Sequence, residues 1–247
     1  MSKQDNFDLL KKVAAASDLD VSRETLERFE IYRTLLQEWN TKINLTTITD
    51  DYEIYLKHFA DSITVFSLPE INTCRTVIDV GTGAGFPGLP MKIMKPELSM
   101  TLLDPLNKRL NFIKDVAEKA GLSNVHYIHG RAEDVSRETM HRDVYDLAVS
   151  RAVSSMPIAA EYCLPFVKPH GYFVALKGPG IKEELSKDPG IFKKINAELV
   201  RIEQAAGLDD YNHNLVLVRK TGPTPPKYPR KLAQIKKDID RYKDHII

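Results

Sequence analysis

The chain has 247 residues, with 35 Lys/Arg against 34 Asp/Glu, and 43% of it is hydrophobic. Such a composition excludes a low-complexity or collagen-like polymer and fits one globular domain with appendages, or two small ones. No window of eighteen uninterrupted apolar residues and no secretory leader at MSKQDNFDLLKK are present, so neither a membrane span nor export is expected.

The first seventy residues read as helical. Leu26, Phe29, Tyr32, Leu35, Leu36 and Trp39 recur at helical spacing after Ser22, a residue type suited to an N-cap. Ile54, Phe59, Ile63 and Phe66 continue the pattern beyond the polar, turn-like WNTKINLTTITDD. No catalytic constellation stands out in this segment.

From Thr76 the texture changes. The β-branched or aliphatic runs TVIDV (76–80), SMTLLD (99–104), NVHYIH (124–129), YDLAVS (145–150) and GYFVALK (171–177) alternate with amphipathic stretches. This β-α repetition predicts a parallel sheet covered by helices. ELVRIEQ (198–204) and NLVLVRK (214–220), separated by the turn region AGLDDYNH, predict an antiparallel hairpin at the end of the sheet. The organisation expected is therefore an α/β, Rossmann-like domain over 71–220, preceded by a helical segment (1–70). A basic tail (221–247) follows, its proline-rich TGPTPPKYPRK extended rather than packed.

Cys74 and Cys163 lie far apart without metal-ligand spacing and read as thiols of a reducing, cytoplasmic compartment. From Arg219 onward nine Lys/Arg stand against Asp238, Asp240 and Asp244, an excess of six that leaves the rest of the chain at −5. A basic tail of this kind is either a handle for a polyanion or an ordinary solvated terminus.

VIDVGTGAGFPG (77–88) carries the chemistry. Gly83-Ala84-Gly85-Phe86-Pro87-Gly88 matches the dinucleotide fingerprint, a weak signal alone, while Leu89 stands where a phosphate-binding lysine would be required. Asp79, close to the end of the first strand, points away from phosphate. At about 5 Å and an effective dielectric near 20, two like charges cost about 3 kcal/mol. S-adenosyl-L-methionine, phosphate-free and carrying an ammonium and a sulfonium, suits an acid at that place. The alternative is that Asp79 caps a helix or orders the loop. Asp104 ends the second strand, where a carboxylate can accept from both ribose hydroxyls. The turn His129-Gly130-Arg131-Ala132-Glu133-Asp134 can offer backbone groups to an adenine edge.

The acceptor side is read partly from what is missing. Cys163 is followed, not preceded, by a nearby proline, so the Pro-Cys nucleophile of pyrimidine C5 methylation is absent. Ser150-Arg151-Ala152-Val153 stands where exocyclic-amine enzymes place an Asn/Asp-Pro-Pro-aromatic turn. An acceptor such as guanine N7 owns a free lone pair and needs alignment rather than a base. Arg151 can contact a phosphate or the guanine O6/N7 edge, or simply pair with a neighbouring acid. Lys177 sits at the same rim, with phosphate contact and a structural role both open.

VIDVGTGAGFPGLP, LLDPLNKRLNF, GRAED, SRAV and ALKG together closely resemble the RsmG (GidB) family of bacterial 16S ribosomal RNA methyltransferases, as do WNTKINLTTI and LKHFADSI upstream. The resemblance spans almost the whole chain. It implies a class I S-adenosyl-L-methionine-dependent enzyme acting on guanine N7, with 16S ribosomal RNA or the assembling small subunit as partner. No metal or membrane is implied. Cofactor contacts carry over to Gly81, Phe86, Ala132, Glu133 and Arg151, with Gly83 in the loop and Asp104 at the ribose position. Arg151 is also the candidate for positioning the acceptor. KYPRK resembles the family's basic terminal motif, giving Lys227, Arg230 and Lys231, with Lys177, as candidate RNA contacts. LAQIKKDID departs from the family's usual continuation, and the stretch between Lys177 and Leu199 is shorter than expected.

Overall fold

The computed structural model describes residues 2–152, 154–208 and 211–243. Helix α1 (Lys3–Ala15) begins at Ser2, whose side chain and that of Asp5 cap each other's backbone amides. Helix α2 (Arg23–Asn40) starts at the expected cap, Ser22, and buries Leu26, Phe29, Tyr32, Leu35 and Leu36. Helix α3 (Asp51–Ile54) passes directly into a π-helical turn (Tyr55–Ala60) and α4 (Asp61–Ile63). The wider turn interrupts the 3.6-residue rhythm and, as such turns often do, it lies where side chains gather.

The strands are β1 (Thr76–Val80), β2 (Ser99–Asp104), β3 (Val125–His129), β4 (Tyr145–Arg151), β5 (Val167–Lys177), β6 (Ala197–Gln204) and β7 (Asn214–Lys220). They form one sheet in the order β3-β2-β1-β4-β5-β7-β6. The first five are parallel, while β7 runs antiparallel to both β5 and β6. This is the expected mostly parallel, seven-stranded Rossmann-like sheet with an antiparallel strand near the C-terminus.

Helices α5 (Gly88–Met94), α6 (Asn107–Lys119), α7 (Ala132–Val135), α8 (Met156–Cys163), α9 (Ile181–Ser186) and α10 (Ile191–Lys194) connect the strands, and α11 (Leu232–Lys243) closes the described chain. Strand side chains alternate between faces, so each central strand feeds two cores. Val77, Leu147, Val149, Val174, Leu176, Leu215 and Leu217 join the core that also holds α1, α2 and α6. Ile78, Ala148, Phe173, Ala175, Val216 and Val218 join the one beneath α8. The helical segment before residue 70 thus shares its core with the sheet.

Between β1 and β4 the order of connection reverses, which opens the crevice where ligands of open α/β sheets bind, outside the carboxyl ends of the strands. No helix among the described residues is long and apolar enough to cross a membrane. Asp209 and Asp210 of the hairpin turn, Val153 of SRAV and residues 244–247 of the tail lie outside the described residues.

The tail is not the extended segment expected. Arg142 donates to the carbonyls of Thr224, Pro225 and Tyr228, at 3.0, 3.1 and 3.0 Å. Arg230 binds Glu161 of α8, and the chain then turns into α11. The prolines deprive the segment of amide donors but leave carbonyls free to accept from a partner such as Arg142. That is how a proline-rich strap can pack.

Candidate cofactor site and the cluster around Arg151

The glycine loop is tied down from below. Gly81 and Thr82 donate their amides to the Leu103 carbonyl at 2.9 and 3.0 Å, joining the loop to the end of β2. Asp79 is fully buried, and its Oδ2 accepts from the Thr82 hydroxyl at 2.6 Å and the Gly88 amide at 2.9 Å. A Cβ on Gly88 would stand 2.9 Å from that oxygen and 2.6 Å from Leu102 Cδ2, so only glycine lets α5 start there. Gly85 has φ +94°, and a Cβ on it would meet the Tyr32 hydroxyl at 2.5 Å. That hydroxyl donates to the Ala84 carbonyl, so α2 holds the loop from the other side.

Asp79 Oδ2 therefore orders the loop, and the alternating pleat turns Val80 rather than Asp79 to the cavity. Burial, first of all, pushes its carboxyl up to about 7. A buried carboxyl raised to about 7 is only partly ionised at neutral pH, which weakens the repulsion that set pyrophosphate apart from a sulfonium compound. In addition, Arg109 and Arg131 border the cavity beyond.

That cavity has a volume of about 360 Å³ and lies over the ends of β1 and β2. It is within the range that suits a small ligand. Val80, Gly81 and Asp104 form one side, Ala132 and Glu133 another, and Tyr162 and Leu232 also line it. Asp104 is 1% exposed. Its Oδ1 accepts from the Leu106 amide at 2.8 Å, and its Oδ2 from the Gly83 amide at 2.9 Å with Arg109 Nη1 at 3.4 Å. A carboxylate has about four acceptor positions, so one remains for a ribose hydroxyl, and a second opens where the long Arg109 contact yields. Gly83 thus contributes through Asp104. Ala132 and Glu133 open α7, where first-turn amides have no acceptor within the helix and can serve a ligand.

Phe86 and Arg151 do not line this cavity. Phe86 is 5% exposed and stacks on Tyr32 and His58, with ring centroids 5.3 and 4.5 Å apart. It knits the loop to the N-terminal helices. Arg151 lies over the same ring, 4.7 Å from its centroid. Its guanidinium donates to the Lys57 carbonyl at 2.7 Å, to Asp61 Oδ2 at 3.2 Å and to His58 Nδ1 at 3.0 Å. His58 Nδ1 also lies 3.1 Å from the Lys57 carbonyl, and Nε2 lies 2.9 Å from the Thr46 hydroxyl. Burial, reinforced by the Arg151 charge, pushes the His58 imidazole down to about 3, so it stays neutral. Asp61 is fully buried and also binds His213 Nδ1, from the turn before β7.

Of the expected RNA contacts, Lys177 is 6% exposed and spent on Glu184 and the Ser154 carbonyl. Arg230 is likewise committed, to Glu161 and Asp238. Neither is free to meet phosphate, because each neutralises a carboxylate in a crowded place. Lys227 and Lys231 are exposed. Sequence reasoning missed His58, Asp61, His213, Arg109, Tyr162 and Leu232. LKHFADSI was the one signal for the first two, since its polar residues interrupt an otherwise apolar helical stripe.

A family model described as GidB, rRNA small subunit methyltransferase G, matches residues 25–211. Proteins named ribosomal RNA small subunit methyltransferase G from Clostridium botulinum (strain Eklund 17B / Type B) and Clostridium perfringens (strain 13 / Type A) are 48% and 47% identical over 232 residues. Each alignment covers 94% of this chain and 97% of the relative. Among solved structures, an S-adenosylmethionine-dependent methyltransferase from Aquifex aeolicus superposes with TM-score 0.51 at 20% identity, over 75% of this chain and 98% of that one. An O-methyltransferase family protein from Burkholderia thailandensis gives TM-score 0.54 at 12% identity, over 81% and 72%. These two share the fold. At the level of sequence, similarity of this extent is decisive, and the chain belongs to the rRNA small subunit methyltransferase G (GidB) family.

Proposed function

We propose that this protein transfers the methyl group of S-adenosyl-L-methionine to N7 of a guanine in 16S ribosomal RNA. The observation that carries the reading is the buried Asp104 carboxylate in a cavity over the carboxyl ends of β1 and β2, in a chain of this family. The residues present fit the cofactor. Asp104 would take the ribose hydroxyls, the amides that open α7 the adenine edge, and the backbone at Gly81 the part nearest the loop. When bound, the cofactor supplies a sulfonium-activated methyl group. The chain's own part is to fix the direction of approach and to exclude water.

A guanine N7 lone pair attacks without giving up a proton first, and the cluster beside the crevice suits that demand. His58 Nδ1 is occupied by Arg151, and Asp61 by Arg151 and His213, so these groups position rather than take a proton. Exposed Lys227 and Lys231 remain for the phosphate backbone.

Mass mapping of 16S ribosomal RNA from cells lacking the gene tests this directly. The expected result is the loss of one methyl group on one guanine, restored by the intact gene. An unchanged methylation pattern would overturn the reading.

A further inference from the structure

The segment after β7 is fastened by buried polar chemistry. Asp143 accepts from the Thr224 amide at 3.1 Å and its hydroxyl at 2.7 Å, while Lys220, with no exposed side chain, reaches Asp143 at 2.8 Å. Glu161 on α8 is fully buried, a costly place for a carboxylate unless it is paired. Its partner comes from the tail: Arg230 gives Glu161 its backbone amide and its Nε, both at 3.0 Å. Helix α11 then sets Ile235 and Ile239, 1% and 8% exposed, against Ile158 of α8, with Tyr162 packed beside them.

Leu232, in the first turn of this helix, stays out of that cluster. It is 39% exposed and borders the same cavity as Asp104, as does Tyr162. A large apolar side chain left open at a ligand cavity gains by covering an apolar ligand surface. From this placement we infer that Leu232 and Tyr162 are cofactor-binding residues, forming an apolar wall against the adenosine end, and that the Arg230–Glu161 pair carries the wall. The inference rests on the cofactor site proposed above. It gives the tail a second task, retention of the cofactor, besides any contact with RNA.

Calorimetric titration of the full chain with S-adenosyl-L-methionine and with 5′-methylthioadenosine tests it. Leu232→Ala is expected to weaken both by about three- to tenfold, because the wall meets only the part the two ligands share. Its Tm should match that of the unaltered protein, since the side chain is far from buried. Leu199→Ala removes a leucine of equal exposure, 39%, on β6 and should leave both affinities unchanged. If Asp104→Ala weakens binding while Leu232→Ala does not, the wall is refuted and the site survives. If Asp104→Ala has no effect, the site itself is refuted. An equal loss in Leu199→Ala also overturns the wall, as would a loss confined to the methionine-bearing ligand.

Discussion

At Arg151 three donated hydrogen bonds and a stacked aromatic ring fix one guanidinium, and removing it strips fully buried Asp61 of an arginine partner. Breaking a buried pair from one side costs about 3–5 kcal/mol. Arg151→Ala is therefore expected to lower Tm by roughly 10 °C in calorimetry. Methyl transfer should fall more than affinity for S-adenosyl-L-methionine, because Arg151 lies outside the cavity. Arg151→Lys keeps the charge without the planar fork and should recover only part of the loss. Asp79 offers a test of pH dependence. Its folded pKa is raised to about 7, so the folded state holds a proton that the unfolded chain has already released. The stability this contributes is complete below the ordinary aspartate value near 3.8 and is lost as pH rises toward about 7. Asp79→Asn removes that dependence, so its Tm relative to the unaltered protein should climb between pH 4 and 7 in parallel melts. Asp104 was legible from its place at a strand end. For Asp79 that place gave only the edge of the sheet, and the pleat decides which side faces the ligand.

Helix α2 and the glycine loop act as one element, although more than forty residues separate Tyr32 from Ala84–Gly85. The Tyr32 hydroxyl occupies the place that a side chain on Gly85 would need. Gly85→Ala thus brings a steric conflict in addition to a left-handed φ, and Tyr32→Phe removes the oxygen in conflict while giving up a hydrogen bond of about 1 kcal/mol. The two losses in a double-mutant cycle of denaturant unfolding should sum to less than their separate values. Strict additivity would show that the two sites do not meet. Helical periodicity made α2 legible and put Tyr32 on its buried face. It could not tell what that face covers, because the loop belongs to a part of the chain read by a different period. The π-helical turn was illegible for a related reason: Ile54, Phe59 and Ile63 fit an ordinary helix closely enough to hide His58 and Asp61 between them.

Over the whole molecule, alternating apolar runs were enough to foresee the sheet, since each strand needs only its own residues to declare itself. The docking of the tail rests on Arg230 and Glu161, separated by 69 positions, and no local pattern announces such a pair. Charge counting overstated the basic handle for the same reason. Arg219 is bound to Glu198, Lys220 to Asp143 and Arg230 to Glu161, whereas Lys227, Lys231, Lys236 and Lys237 remain exposed. If those four lysines meet phosphates of single-stranded RNA, they contribute about 3 to the slope of log K against log salt. Replacing all four with glutamine should flatten the slope by about that amount in fluorescence titrations with a 16S ribosomal RNA fragment. Affinity for S-adenosyl-L-methionine should not change, because none of the four lines the cavity. A slope that survives the substitution would move the RNA surface off the tail and onto the rest of the chain. There the charge sums to −5 from residue 1 to 218, and a polyanion would have to find a local basic patch against the prevailing field.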